Sequence, residues 1–512
     1  MHKDTLDDLD ARRAQARKMG GKERLDRLSE KGKLDARARI NLLFDADSFV
    51  EIGLLARSAH PDLHDRTNAD GLVAGHGLIS GRLAYASSED ASILGGTRGR
   101  AAEIKIARLR ELALKHQAPY IALMEAGAGR FQENNGASAV AIGNRFREHM
   151  LMSGRVPQVA AIMGACFGGP SFTAAQSDFV PMTKGTGFMG MSGPAVVRVG
   201  IGRDVAQDDI GGWEKSSTVT GQADYVGDTD EDVLESIREF LSFFPSNSKA
   251  LPPRISPLPA LSDTPEGARE LSDLVPDNHR RAYSMERLIE LLVDNGHSFA
   301  YRPTYGKSLI TAWARFDGRP VGIVANNPMQ WAGAIEEKAA TKMRKFVDIC
   351  NSFHIPLVFL TDCPGFVVGP DIEDKRMVSL AARILNSVAS SQVPKVTVVI
   401  RKAIGLAYLA LGGKTMGPDR LVTWPTAQFD VMGPAAGVEL TYGQRIRAAA
   451  DPAAKRQVFL ARAEEEASAY LAAETGLLDD VIRPDETRRV IIETLNAAAA
   501  NQSPGFVSRI DP

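Results

Sequence analysis

Apolar residues follow two alternating rhythms along this chain. Met343, Phe346, Val347 and Cys350 recur at the i, i+3, i+4, i+7 spacing of a helix with one buried face, and Ile106, Leu109 and Ala113 form a similar stripe. Beside these stripes lie short unbroken apolar runs: YIALM (120–124), VAAIM (159–163), PLVFL (356–360) and VTVVI (396–400). Runs of this length, β-branched in the last case, predict strands buried on both faces. Buried strands separated by helices predict βαβ units with parallel pairing, hence an α/β fold. Residues 1–45 carry Leu25, Leu28, Leu34 and Leu43 among many charges and predict a surface helix pair. Residues 243–267 are rich in proline and serine, which interrupt regular structure, and predict a linker.

The pattern occurs twice. Pro119 and Pro356, Pro157 and Pro394, Lys105 and Lys342, and the pairs Gly81-Arg82 and Gly318-Arg319 each lie 237 residues apart. Gly193-Pro194 and Gly433-Pro434 lie 240 apart. That period is too long for a solenoid repeat. It predicts one domain fold duplicated, with a first copy over 1–250 and a second over 268–512. Two copies of one fold can build two similar sites.

Composition narrows the class. The 512 residues are 44% hydrophobic and 24% charged, with a net charge of −2, so no global field favours nucleic acid or an anionic membrane. Cys166, Cys350 and Cys363 are an odd number in a large chain and none sits in a C-x-x-C pair, which argues against a disulfide framework or a zinc site and for a reducing compartment. The mixed-charge N-terminus has no apolar core of a signal peptide, and the longest apolar stretch, 403–411, is too short to span a bilayer. The expected location is cytoplasmic. There is no P-loop, H-E-x-x-H or G-x-S-x-G pattern, and no metal site is implied.

Glycine turns supply the candidate chemistry. In GACFGGPSF (164–172) a buried strand ends at Met163, glycines come next, and a helix is expected near Ser171. Glycine brings backbone N–H groups close to a ligand, and a helix start leaves donors free, an arrangement that holds a developing oxyanion. The plainer reading is an architectural turn. RKAIGLAYL (401–409) places Gly405 and Leu406 at the same offset from Gly168 and Gly169. The loops after two strands, with Gly127 and Phe131 in one and Gly365 and Phe366 in the other, are candidates to cover a ligand or are ordinary connections. Arg98, Arg100 and Lys105 surround a helix start that suits a phosphate, against the commoner reading of a solvated charged face. Cys166, with no histidine placed beside it, reads as a small buried residue.

Together with ISGR…GG (79–96), RFQE (130–133), DIGGWEK (209–215), AYSMERLI (282–289), DCPGF (362–366), VPKVTVVIRKA (393–403) and WPTAQFDVMGP (424–434), these motifs resemble the carboxyltransferase β subunits of biotin-dependent acyl-CoA carboxylases over nearly the whole length. The resemblance implies two tandem crotonase-type (ClpP-like) spiral domains. It implies transfer of CO2 from carboxybiotin to the α-carbon of an acyl-CoA through an enolate, with the biotin ureido nitrogen as base. Gly168 and Gly169 would then hold the thioester oxygen, and Gly405 and Leu406 the biotin oxygen. Biotin would ride on a separate biotin carboxylase/biotin carrier α subunit, the acyl group on coenzyme A, and the β subunits would form a homohexamer. Pro170 stands after the glycine pair and has no N–H, Leu406 replaces a glycine, and KSSTVTG (215–221) lacks the family's histidine. Lys375 and Arg376 replace a glycine pair. Leu409 stands where propionyl-specific members resemble one another in carrying Asp, which implies a different acyl chain. A second reading keeps the fold without biotin, as a decarboxylase or hydrolase of a CoA ester with Glu125, Glu133 or Glu373 as base. A third is a non-catalytic scaffold or regulatory subunit.

Overall fold

The computed structural model describes residues 2–141, 146–499 and 502–512. The chain forms two compact units, residues 1–250 together with 505–512, and residues 251–504. The last eight residues therefore correct the expected boundary of 268–512. They pack in the first unit, where Arg155 covers the ring of Phe506 and the Ile510 N–H donates to Ser153 Oγ at 3.0 Å. A short tail without a hydrophobic period carries no sequence signal of its destination.

In the first unit the strands are β1 (Val50–Glu51), β2 (Leu72–Ile79), β3 (Arg82–Glu89), β4 (Tyr120–Met124), β5 (Gln158–Ile162), β6 (Ala165–Phe167), β7 (Pro181–Thr183), β8 (Phe188–Gly190) and β9 (Tyr225–Gly227). The main sheet runs β1-β2-β3-β4-β5-β7-β9, and β6 pairs with β8 in a small second sheet. The second unit has β10 (Ser298–Ala300), β11 (Leu309–Phe316), β12 (Arg319–Asn326), β13 (Leu357–Cys363), β14 (Lys395–Ile404), β15 (Arg420–Thr423), β16 (Gln428–Asp430) and β17 (Asp480–Val481). Its order is β10-β11-β12-β13-β14-β15-β17, with β16 on the far end of β14. The two sheets match strand for strand, as the 237-residue period predicts.

Pairing is parallel from β3 to β9 and from β12 to β17, but β1–β3 and β10–β12 are antiparallel. The sheets are thus mixed rather than wholly parallel. The signal for the hairpins was present. Ser80-Gly81 and Asp317-Gly318 sit at the two turns with φ of 48° and 75°, and 54° and 73°, the left-handed pair that a two-residue hairpin turn requires. The arginine after each turn then anchors the end of a long helix: Arg82 Nη1 donates to Phe244 O at 2.7 Å, and Arg319 Nη1 to Leu495 O at 3.0 Å.

The helical stripes bury as their spacing predicts. The helix Arg100–His116 turns Ile106, Leu109 and Ala113 into the first core, and Glu337–Ser352 buries Met343, Phe346, Val347 and Cys350. The N-terminal segment forms three helices, Lys3–Arg17, Lys22–Ser29 and Ala36–Leu43, not two. No helix among the described residues is long and apolar enough to cross a membrane.

Candidate active site

In the first unit β5 ends at Ile162, Met163 and Gly164 break the strand, and β6 leads into Gly168. Gly168 has φ 68° and ψ −133°, a conformation that only glycine adopts without strain, and the helix Gly169–Ala175 begins at once, two residues earlier than expected. The Gly168 N–H already points at two carbonyls, Gly190 O at 3.3 Å and Met191 O at 3.2 Å. Pro170 has no N–H. Of the expected pair, only Gly169 presents an N–H with no acceptor among the described residues.

The second turn is built from one continuous strand. β14 runs without a break to Ile404, Gly405 adopts φ 63°, and the helix Gly405–Ala410 begins there. A Cβ on Gly405 would meet Val431 O at 3.0 Å, so glycine is needed for conformation and for space. Gly405 follows the last pair of the ladder with β16, Ile404 with Asp430, the place where Gly190 engages Gly168 in the first unit, and Leu406 and Ala407 come next in the first turn of the helix, whose N–H groups have no intrahelical acceptor. Ala407 is a donor that matching glycines between the two copies does not single out; counting three residues into the helix finds it. Leu406 keeps its N–H while its side chain is 66% exposed, and Leu409, half-buried, lies three residues on.

The flanking loops also correspond at the 237-residue offset. Arg98 bridges to Gly129 and Ile335 to Phe366, each as one parallel pair. Gly127 is exposed, Ala128 has φ 102°, and Phe131 stands 75% exposed at the start of a short helix. Gly365, the counterpart of Ala128, has φ 137°, and Gly365 and Phe366 are half-buried.

The expected phosphate cluster does not gather at the surface. Arg98 is 7% exposed and its Nε donates to Glu89 Oε1. Lys105 is buried and its Nζ donates to the carbonyls of Ala69, at 3.0 Å, and Leu72. Burial pushes the Lys105 amine down to about 8. Lys342, its counterpart, donates to Leu309 O at 2.6 Å and is pushed down to about 7. Both lysines cap the loop that feeds the hairpin in their unit, which neither a phosphate site nor a solvated face anticipates. Of the three expected cations, only Arg100 has an exposed side chain.

Two of the three candidate carboxylates are similarly engaged. Glu125 accepts from Lys33 Nζ and, at 2.7 Å, from Arg39 Nη1, and Arg39 continues to Asp230 at 2.8 Å. Glu133 accepts from Ser58 Oγ, the Arg100 N–H and Arg130 Nη1. Burial raises the Glu133 carboxyl, but these hydrogen bonds outweigh it and hold the group below its ordinary value. Glu373 lies exposed. Cys166 is fully buried and burial pushes its thiol far up, so it is no nucleophile.

Comparison with known proteins bears on the family and the fold. The family model for the carboxyl transferase domain matches residues 27–509. The propionyl-CoA carboxylase carboxyltransferase subunit of Haloferax mediterranei is 35% identical over 96% of this chain and 95% of its own length. The methylmalonyl-CoA decarboxylase subunit alpha of Veillonella parvula is 36% identical over 94% of this chain and 93% of its own. A crystal structure of transcarboxylase 12S, a hexamer with methylmalonyl-coenzyme A and methylmalonic acid bound, matches with a TM-score of 0.91 and 34% identity, covering 99% of this chain and 97% of that one. The tandem α/β units are therefore of crotonase type.

Proposed function

This chain belongs to the carboxyl transferase family and is a carboxyltransferase, and from that premise we propose that it moves a carboxyl group between biotin, carried on a separate biotin carboxylase/carrier subunit, and the α-carbon of an acyl-CoA. The observation that carries the reading is the pair of glycine turns, one per unit, each placing the first turn of a short helix at the end of a buried strand. Removing the α-proton of a thioester puts negative charge on its carbonyl oxygen. The Gly169 N–H receives that charge. The N–H groups of Leu406 and Ala407 would hold the ureido oxygen at the second turn, which Gly405 shapes by its left-handed conformation and by keeping a Cβ away from Val431 O. Biotin, when bound, supplies both the carboxyl group and a ureido nitrogen as base. That division of labour suits a site in which Glu125 and Glu133 are ion-paired.

The acyl-CoA half of one copy then meets the biotin half of another in a homohexamer of the kind seen for transcarboxylase 12S. Leu409 sets an apolar floor for the acyl chain, and Gly127, Phe131, Gly365 and Phe366 border the two approaches. Relatives at 35% and 36% identity include a carboxylase and a decarboxylase subunit, and one oxyanion site for the thioester with a second for biotin serves either direction. The expected location is cytoplasmic.

The test incubates the purified chain with methylmalonyl-CoA and malonyl-CoA, with and without free biotin, and monitors loss of the carboxyl group. Biotin-dependent loss is expected, together with a stoichiometric biotinylated partner in a native pull-down probed with streptavidin. Decarboxylation that ignores biotin would move the assignment to the biotin-free lyase reading. Absence of any thioester binding would leave only a scaffold.

A further inference from the structure

β14 does not reach its glycine turn in simple register. Thr361 of β13 pairs with Val399, but Cys363 pairs with Ala403, so two steps on β13 face four on β14. The extra residues form a bulge, a device that bends a strand and re-aims the segment beyond it. Past the bulge Ala403 still pairs with Cys363 of β13, while on its other edge β14 exchanges β15 for β16 over Lys402, Ala403 and Ile404, and Gly405 comes next. The bulged Ile400 carbonyl accepts from Thr426 Oγ1 at 2.8 Å.

The bulge carries Arg401 and Lys402, and opposite it stands Asp362. Arg401 donates from Nε at 3.0 Å and Nη2 at 2.9 Å to Asp362 Oδ2, and Lys402 Nζ lies 3.4 Å from Oδ1. Arg401 also donates to Arg281 O at 2.8 Å and covers the Tyr283 ring at 4.7 Å. The Asp362 and Arg401 side chains are 0% and 1% exposed, so neither charge is tolerable without the other.

At the equivalent place the first unit interrupts the strand altogether, between β5 and β6. Glu125, 237 residues before Asp362, sits over the strand break, where a Cβ on Gly164 would meet Glu125 Cγ at 2.3 Å. Gly164 is the counterpart of Arg401. The cations for Glu125 come instead from Lys33 and Arg39. A carboxylate recurs at the point where each strand is bent, although its cations come from unrelated parts of the chain. That recurrence separates it from a generic buried ion pair.

The geometry points to Asp362, with Arg401 and Lys402, as a positioning cluster that locks the β14 bulge and so aims the Gly405 turn and the Leu406 and Ala407 donors that follow it on the biotin side. The inference rests on the function proposed above. None of the three touches substrate; they act through the backbone.

The test compares the full chain and its Asp362→Asn variant, each with its biotinylated partner. One readout is steady-state carboxyl transfer. The other is amide hydrogen exchange across 403–409, with 166–172 in the first unit as an internal control. Expected are a fall in kcat of about tenfold or more, a KM for acyl-CoA within about twofold, and faster exchange confined to 403–409. Unchanged exchange at 403–409 would overturn the proposal, as would equal loosening of both turns. If Asp362→Asn does not fold, Lys402→Met removes only the outer cation and carries the same comparison. If the unaltered protein transfers no carboxyl group, the functional reading falls, and the exchange contrast decides the positioning claim by itself.

Discussion

Adding one methyl group at two adjacent positions separates an oxyanion turn from a structural one. At Gly168, alanine must adopt φ 68° and ψ −133°, a region that costs a residue with a Cβ about 1–3 kcal/mol. The Cβ itself has room, its nearest neighbour being Ala128 Cβ at 3.8 Å, so the penalty is conformational. The backbone relieves it by rotating the Gly168–Gly169 peptide, and that peptide carries the Gly169 N–H. Losing one oxyanion donor typically costs about 2.7–4 kcal/mol of transition-state stabilisation, or roughly 100- to 1,000-fold in kcat. At Gly169 the same methyl meets nothing closer than Phe146 Cζ at 3.9 Å, and the N–H is retained. Gly168→Ala is therefore expected to lower kcat by about two orders of magnitude or more, and Gly169→Ala to leave it within about threefold. The assay is biotin-dependent loss of the carboxyl group from methylmalonyl-CoA, scored by chromatography of the CoA esters, with thermal unfolding as the control for folding. Equal effects of the two substitutions in folded protein would refute the reasoning, because they would show that sterics, and not the peptide orientation, matter at this turn.

Leu409→Asp should shift preference among acyl-CoA substrates with little change in thermal stability, since the side chain is only half-buried; an unaltered ranking across a chain-length series would remove Leu409 from the acyl pocket. Gly164→Ala should destabilise the first unit by about 2 kcal/mol or more, because its Cβ would fall 2.3 Å from Glu125 Cγ inside a buried ion cluster; wild-type urea midpoints would contradict this. Lys342 has its amine pushed down to about 7 in the folded protein, from an ordinary 10.5. The folded state therefore binds fewer protons than the unfolded state between those values, so this group makes stability rise as pH climbs from about 7 toward 10.5 and adds no pH dependence below about 7. Over pH 7 to 9 the contribution is of the order of 2–3 kcal/mol, and Lys342→Met should flatten the pH dependence of the urea midpoint by that amount; parallel pH profiles would refute it. Glu133→Gln should leave the pH profile of kcat unmoved, because its carboxylate is fixed by Ser58, Arg100 and Arg130; loss of a basic limb would favour a protein base.

Residue pattern alone determined the duplicated α/β architecture, the core faces of the two long helices and the position of both glycine turns. These features are periodic or local: a helical stripe, an apolar run and a left-handed glycine each declare themselves within a few residues. Their spacing by 237 residues then identifies two copies without reference to any contact. Tertiary structure decided which groups are free to act. The Gly168 N–H resembles that of Gly169 in sequence, yet only the return of Gly190 and Met191 engages it. Arg98 and Lys105 read as surface cations until Glu89 and the carbonyls of Ala69 and Leu72 enclose them. The partners of Glu125 lie 86 and 92 residues away, and the partner of Asp362 lies 39 away on a bulged strand. Burial and hydrogen-bond satisfaction are set by segments distant in sequence, so the chemistry available to a charged or backbone group comes from the packing of the whole unit and not from its neighbours along the chain.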